Sequence, residues 1–447
     1  MPVYSNTRFF LSAKYQTCRL TEQLTLTTDH TTDCLASVSV MPSSTFQAMQ
    51  GFGGAFTEAA AVTWLSLSPA KRKEVLQAYF DPELGHGYTL CRVHMNSCDF
   101  SLGNYAHLET AGDEALQSFS IERDRQALLP FIQEALKLTP LKLLVSPWSP
   151  PAWMKSNGQM NHGGYLLPRY RSTWARCFVR FIQEYAKEGV PVWGVSVQNE
   201  PAATQRWDSC LYSAEQERDF VRDFLGPELE KAGLGHIHII IWDHNRDLMV
   251  ERANVVYSDA KAASYVWGTG FHWYGEDHFE HVQQVHDAWP DKQLLFTEGC
   301  QEGGAHNGSW EPGERYARSL INDLNRWTVG WIDWNLLLNE QGGPNHVGNF
   351  CSAPILIDDQ QHTLLLQSSY YYLGHFSRFI KPGALRVLCA STRQDLEATS
   401  FVNPDATLAT VVMNRTEAPI RFSLVIGQNR MVSELPPRSI ATYLSKC

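Results

Sequence analysis

Nowhere do the 447 residues hold an apolar run approaching the ~20 residues that a membrane-spanning helix needs. The longest, such as Ile237-His238-Ile239-Ile240-Ile241-Trp242, are strand-sized, so no stable membrane insertion is expected. Long Lys/Arg runs are also missing. With 37 basic against 47 acidic residues the net charge is −10, which makes nucleic acid and anionic membranes poor partners. No H-E-x-x-H and no C-x-x-C pair occurs, and His236, His238 or His272 alone make no site, so no metal is expected in the chemistry. The dinucleotide fingerprint is absent too: Gly51-Phe52-Gly53-Gly54 is not G-x-G-x-x-G, and its glycines read as bending and close packing of a strand. No cofactor is implied. Met1–Leu20 lacks the apolar stretch of a signal peptide, and ten Cys in a chain this long do not make a disulfide scaffold. Cys98, Cys210 and Cys300, beside candidate catalytic segments, read as buried free thiols. These absences point towards the cytoplasm, with secretion after leader removal as the alternative. Asn307-Gly308-Ser309 and Asn414-Arg415-Thr416 fit the glycosylation pattern, but such triplets arise by chance.

Charged residues at 19% and aromatics at 12%, with 14 Trp, make a globular composition suited to binding flat, partly apolar rings such as sugar faces. The middle of the chain repeats one theme: a short β-branched apolar run, a loop, then an amphipathic stretch. Eight such runs can be counted: Gly51–Thr57, Thr89–Asn96, Leu141–Ser149, Val192–Glu200, Ile237–His244, Val266–Tyr274, Gln293–Gly299 and Gly330–Leu338. Continuous apolar character fits strands buried on both faces. Helix signals stand between them, including Ser68-Pro69 as cap and first turn, and a capping box at Ser213 and Gln216. Pro130 interrupts the helical pattern over 122–137. Eight strands alternating with helices predict a (β/α)₈ barrel, an α/β fold, over about 45–375. Both ends instead carry short alternating runs, among them Thr25–Thr28, Ala36–Val40 and Ala409–Met413. They predict one discontinuous antiparallel β-sandwich from about 1–44 plus 376–447.

Two carboxylates stand at predicted strand ends. Glu200 closes Val195–Glu200, and Glu298 closes Leu294–Glu298. By order these are strands four and seven, whose tips face each other across the barrel mouth where such barrels build active sites. Glycoside hydrolysis needs two carboxyl groups flanking the anomeric carbon, roughly 5–5.5 Å apart when configuration is retained. A lone strand-terminal Glu is more often a cap or a salt-bridge partner; the pair is the signal. Arg92, on strand two, either tunes Glu298 or makes a structural ion pair.

Asn199-Glu200-Pro201 after an apolar strand resembles the acid/base motif of the retaining glycosidases built on this barrel. More narrowly, the chain resembles the glucosylceramidase family, glycoside hydrolase family 30. The resemblance rests on Gln50–Thr57, Ser97-Cys98-Asp99-Phe100-Ser101, Ser146–Trp153, Val197–Pro201, His272-Trp273-Tyr274, Glu298-Gly299-Cys300, Asp333-Trp334-Asn335-Leu336 and Gly342-Gly343-Pro344-Asn345. These segments follow the family order over about 300 residues. The resemblance implies Glu200 as acid/base and Glu298 as nucleophile. It also implies that Asp99, Phe100, Trp148, Asn199, Trp334 and Asn349 hold the sugar, with His272, Trp273 and Tyr274 crowding the nucleophile. Trp148, Trp273 and Trp334 are expected as aromatic walls of a one-sugar pocket.

The expected activity is an exo-acting, retaining β-glycosidase, β-glucosidase or glucosylceramidase in type, acting on a β-glucoside or a glycosphingolipid in carbohydrate or sphingolipid metabolism. A β-1,6-glucanase, β-xylosidase or β-fucosidase on the same scaffold remains open. Gly348, standing where close glucosylceramidases lead one to expect a basic residue, weighs against a lipid-linked substrate. A non-catalytic sugar-binding protein would keep the Trp residues but has no need of both carboxylates. Oligomeric state is not readable from the chain. Dialysis against EDTA is expected to leave turnover of a nitrophenyl β-glucoside unchanged; activity lost on chelation and restored by zinc would return the chain to the metal hydrolases.

Overall fold

The computed structural model describes residues 4–23, 35–358, 360–361 and 363–446. The expected strand Thr25–Thr28 lies outside the described residues. Eight parallel strands close into a barrel: β1 (Gly51–Phe56), β2 (Leu90–Met95), β3 (Lys142–Pro147), β4 (Gly194–Ser196), β5 (His238–Asn245), β6 (Val266–His272), β7 (Gln293–Glu298) and β8 (Thr328–Asn335). Every residue of β1, β2 and β8 is buried, as parallel strands covered on both faces require. Leu90, Leu144, Ile240, Leu295 and Ile332 fill the interior from five strands, and Trp193 and Trp267 pack below them. The barrel is therefore plugged at its N-terminal end, and any cavity must open at the other.

Two strands depart from expectation. The run expected as Val192–Glu200 is a strand only over Gly194–Ser196. Beyond it the amides of Val197, Asn199 and Glu200 bond in turn to Ile240, Pro147 and Asp243, so the chain weaves between β3 and β5. The run Gly330–Leu338 is interrupted at Leu336; Leu337–Asn339 instead joins Ile355–Ile357 and Leu364–Leu366 in a separate three-stranded sheet. Helix starts follow their local signals. Ser68 accepts from the Lys71 amide ahead of Pro69, and Ser213 and Gln216 form a complete capping box. The segment around Pro130 splits into helices Glu122–Gln126 and Leu128–Leu136. Pro130 lies in the first turn of the second, where a missing N–H removes no intrahelical bond.

The terminal strands form one nine-stranded sheet, with Ser5–Ala13, Thr21–Gln23 and Ala36–Ala48 joining six strands between Leu385 and Lys446. It is not wholly antiparallel: Ile420–Ile426 runs parallel to Ala36–Ala48, pairing Phe422 with Ala36. The sheet curls over its own core. Phe422 meets Tyr443 edge-on at 6.2 Å, and the Ser433 and Tyr443 hydroxyls lie 2.6 Å apart, although in hydrogen-bonding order four strands stand between Phe422's strand and Tyr443's and five between Ser433's and Tyr443's. Strand Ala36–Ala48 runs past residue 44, where sequence placed the boundary, and hands directly to β1. The sandwich is tied to the barrel side by Arg438, paired with Glu314 at 2.5 Å, and by buried His375 between the hydroxyls of Ser12 and Thr442.

Strand β1 needs glycine. A Cβ on Gly53 would stand 1.8 Å from the Leu90 carbonyl oxygen, a backbone atom that cannot yield without opening β1 from β2. Gly53→Ala is expected to lower unfolding stability by about 3 kcal/mol in chemical denaturation. Gly103→Ala, with nothing within 4 Å, serves as the control; equal midpoints for the two variants would refute this account of β1.

Candidate active site

The C-terminal end of the barrel opens into a pocket of about 310 Å³. Glu200, from the segment after β4, and Glu298, the last residue of β7, both line it. One oxygen from each carboxylate and a ring nitrogen of His272 all lie within 4.8 Å of one another. Glu200 holds φ 48°, a left-handed backbone that a non-glycine residue adopts only when its surroundings impose it. Its amide donates to the Asp243 carbonyl and its own carbonyl accepts from Ala203, which fixes that turn.

Arg92 projects from β2 into the centre of the mouth and is fully buried. It donates to Glu298 Oε2 at 2.5 Å, to Asp243 Oδ2 at 2.8 Å, to Asn199 Oδ1 at 2.9 Å and to Ser146 Oγ at 2.9 Å. Of the two roles open to it, charge partner of Glu298 or structural ion pair, the side chain fills both. Asp243 reaches it because Trp242 and Asp243 both take positive φ at a bulge in β5, where pairing with β6 shifts register. Asp243 also accepts from Ser196 at 2.5 Å and contacts His272 Nε2 at 3.0 Å. Burial works against its charge, but Arg92 and His272 hold the Asp243 carboxyl far below the ordinary carboxylate range.

His272 Nδ1 lies 3.3 Å from Glu200 Oε1, and His244 Nε2 lies 3.9 Å from the same oxygen. Burial disfavours the His272 imidazolium, yet Glu298, Asp243 and Glu200 outweigh it and lift the group to about 9. Burial also pushes Glu200 up, but His244 and His272 prevail and its carboxyl stands below the usual range. At Glu298 burial prevails over His272 and Arg92, and the carboxyl stands above it. The Tyr274 hydroxyl donates to Glu298 Oε1 at 2.8 Å.

The pocket walls come from other strand ends. Trp148 and Trp334 stack at 5.1 Å, and Phe100 meets Trp334 edge-on at 6.0 Å. Opposite the polar centre, Asp99 accepts from the Asn349 amide at 3.0 Å; burial pushes its carboxyl up to about 8, against that bond. Asp99, Phe100, Trp148, Asn199, Tyr274, Trp334 and Asn349 thus meet the two glutamates around one space. His272 lies beneath it, touching Glu200 and Asp243. Trp273 does not form a wall: it is buried behind β7, against Phe296, Tyr316 and Trp331, and its indole N–H donates to the Cys300 carbonyl. The alternation of β6 carries on past its last residue, His272, so Trp273 faces the opposite side from its neighbour.

Residues 49–380 match the model for the glycosyl hydrolase family 30 TIM-barrel domain, and residues 383–443 match that family's beta sandwich domain. The chain belongs to glycosyl hydrolase family 30. It is 38% identical over 431 residues to the lysosomal acid glucosylceramidase of Mus musculus, covering 91% of this chain and 83% of that one. Among solved structures, SrfJ from Salmonella typhimurium is 40% identical with a TM-score of 0.95, over 99% of both chains. The endo-beta1,6-glucanase BT3312 is 29% identical with a TM-score of 0.89, over 99% of this chain and 100% of that one. The protein is therefore a glycosidase of this family.

Sequence reading missed Asp243 and His244, together with the pocket residues Gln205, Trp207, Glu302, Phe350 and Cys351. The strand-tip rule that found Glu200 and Glu298 applies equally to Trp242-Asp243-His244 at the end of β5. Nothing local marks the others, which arrive on loops. Where a basic residue was expected, Gly348 holds φ 69° in a turn that favours glycine.

His272 links this geometry to pH. Its folded pKa of about 9 lies above its ordinary 6.5, so the stability it contributes is complete below about pH 6.5 and lost as pH rises through about 9. Denaturant titrations of wild type should show a decline of roughly 3 kcal/mol across that window, absent in His272→Gln. Parallel curves for the two proteins would show that the imidazolium is not held in the folded state.

Proposed function

We propose that this glycosidase retains anomeric configuration, cleaves single terminal β-glucosyl units, and uses Glu298 as nucleophile with Glu200 as acid/base. The observation that carries the reading is the closeness of the two carboxylates, with an oxygen of each within 4.8 Å of the other's. That leaves no space for a water between sugar and carboxylate, as inversion would need. Glu298 attacks the anomeric carbon while Glu200 protonates the departing oxygen; Glu200 then takes a proton from the water that releases the sugar.

Among the protein groups alone, burial leaves Glu298 the higher of the two carboxyls, the reverse of what these roles need at attack. The direct bonds favour the assigned order. Arg92 at 2.5 Å and Tyr274 at 2.8 Å both donate most strongly to an ionised Glu298. Among the described residues no guanidinium donates to Glu200, and as the acid it donates to the leaving oxygen. Once the glycosyl-enzyme forms, the charge on Glu298 is gone, and the neighbouring imidazoles favour an ionised Glu200 that acts as base.

The remaining roles follow from position. Arg92 occupies the Asn199 side-chain oxygen, which leaves the amide N–H₂ to donate to the sugar 2-hydroxyl. Asp99 and Asn349 receive hydroxyls on the far side of the ring, and Trp148 and Trp334 pack its C–H face. The pocket, about 310 Å³, lies at the lower end of the range for small-ligand sites, which supports exo action. On the aglycone side Trp207, Phe350 and Tyr274 offer apolar surface, and Gln205 and Glu302 offer polar groups. Similarity to lysosomal acid glucosylceramidase supports a glucosylceramide-like substrate. Similarity to BT3312 across the whole chain supports β-1,6-linked glucan as the second reading.

Nitrophenyl β-glucoside, glucosylceramide and a β-1,6-glucan would be offered to wild type, Glu200→Gln and Glu298→Ala. Each variant is expected to lose at least about 10³-fold in kcat. Azide should rescue Glu298→Ala with an inverted product and Glu200→Gln with a retained one, and wild type should release β-glucose first. Initial release of α-glucose from wild type would overturn the retaining assignment.

A further inference from the structure

Away from the pocket, the loop leaving β6 enters helix Phe279–Ala288 through His278, Glu280 and His281. We propose that these three residues bind a divalent transition-metal cation of the zinc type, at a surface site separate from the hydrolytic centre.

One ligand atom from each residue lies within 4.8 Å of the others. The two imidazole rings stack nearly parallel, with centroids 4.8 Å apart and planes 7° apart. His281 Nδ1 lies 2.9 Å from the backbone carbonyl oxygen of Arg246. A carbonyl only accepts, so Nδ1 carries the hydrogen and Nε2 keeps its lone pair, on the side of Glu280 at 3.9 Å. This is the arrangement that metal-binding histidines use, in which a bond at one nitrogen fixes the tautomer and aims the other. The Arg246 carbonyl is itself held in place, since that side chain is buried and bonded to Asp323 and Ser319. His278 Nδ1 lies 3.4 Å from Glu280 Oε1, and its Nε2 faces Glu276 Oε2 at 3.8 Å, which supplies a second carboxylate at the rim.

The donor set sorts the ion. Two imidazoles and one carboxylate suit zinc and its neighbours, whereas calcium and magnesium prefer all-oxygen shells. Zinc draws its ligands to about 2.0–2.2 Å, so the three atoms must close by roughly an ångström. Partly exposed side chains on a loop and a first helical turn can do so by small rotamer shifts. Glu276 and Glu280 offset the positive end of the helix dipole, and nearby Arg318 is already paired with Asp277. Glu200, His272 and Glu298 also lie within 4.8 Å of one another, but both His272 nitrogens are engaged and Arg92 supplies a competing cation there. Bound at the surface, the ion would tie the end of the loop leaving β6 to the first turn of helix Phe279–Ala288, with His281 keeping its bond to the Arg246 carbonyl.

Calorimetric titration of the full chain with zinc chloride in HEPES at pH 7.5 tests this without reference to turnover. Wild type is expected to bind a single equivalent saturably and to melt about 2 °C higher with zinc present. His278→Ala and Glu280→Gln should each weaken binding at least about tenfold and leave nitrophenyl β-glucoside hydrolysis unchanged. His281→Ala should do the same, with circular dichroism to establish that the chain still folds. No saturable binding in wild type, or wild-type binding in His278→Ala, would overturn the proposal. Inhibition by zinc that persists undiminished in His278→Ala would place the ion on the catalytic carboxylates and overturn it equally.

Discussion

A single buried guanidinium organises the mouth of this barrel. Arg92 has no access to solvent, so its charge must be matched inside the protein, and Asp243 and Glu298 match it from β5 and β7. Its remaining donors go to Ser146 and Asn199, on β3 and the segment after β4. Four strand ends are thereby set around one planar group whose donor directions cannot flex. Breaking such a set by removing one partner leaves a buried charge uncompensated, which costs about 3–5 kcal/mol. The same network leaves Glu298 with its strongest bonds on one side and its other oxygen turned to Tyr274 and the pocket.

That arrangement accounts for the unusual backbone nearby. Trp242, Asp243 and Glu200 all hold positive φ without being glycine. Each left-handed residue is costly by about 1–3 kcal/mol and persists only where the surroundings over-determine it. Here they do: the Asp243 carbonyl takes the Glu200 amide, and the Asp243 carboxylate takes Arg92, Ser196 and His272. Strain in β5 and in the segment after β4 is thus held by the charge network, and it delivers Glu200 opposite Glu298.

Much of this architecture is written along the chain. Strand order needs only the alternation of apolar runs with helical stripes, and the caps at Ser68 and Ser213 act within a single turn. The two glutamates are legible because each ends an apolar run, and parallel strands all present their ends to one face of a barrel. Legibility fails where position depends on partners distant in sequence. Trp273 follows His272, the last residue of β6, yet it faces away from the pocket, because the strand's alternation carries on one residue past its end. The fourth run looked like a full strand, but hydrogen bonds to Pro147, Ile240 and Asp243 draw its second half out of the ladder. The sandwich alternation was visible, while the parallel pairing of Phe422 with Ala36 was not, since period-two patterning carries no strand direction.

By itself, then, the sequence determined the barrel, the sandwich from both termini and the two catalytic candidates, because these depend on periodicity and on residues adjacent in the chain. Only the tertiary structure decided which polar side chains share a space: Arg92 with Asp243 and Glu298, Asp99 with Asn349, His281 with the Arg246 carbonyl. Those pairings span tens to hundreds of residues, and their hydrogen-bond geometry is set by how β-strands and loops converge, which no local pattern encodes.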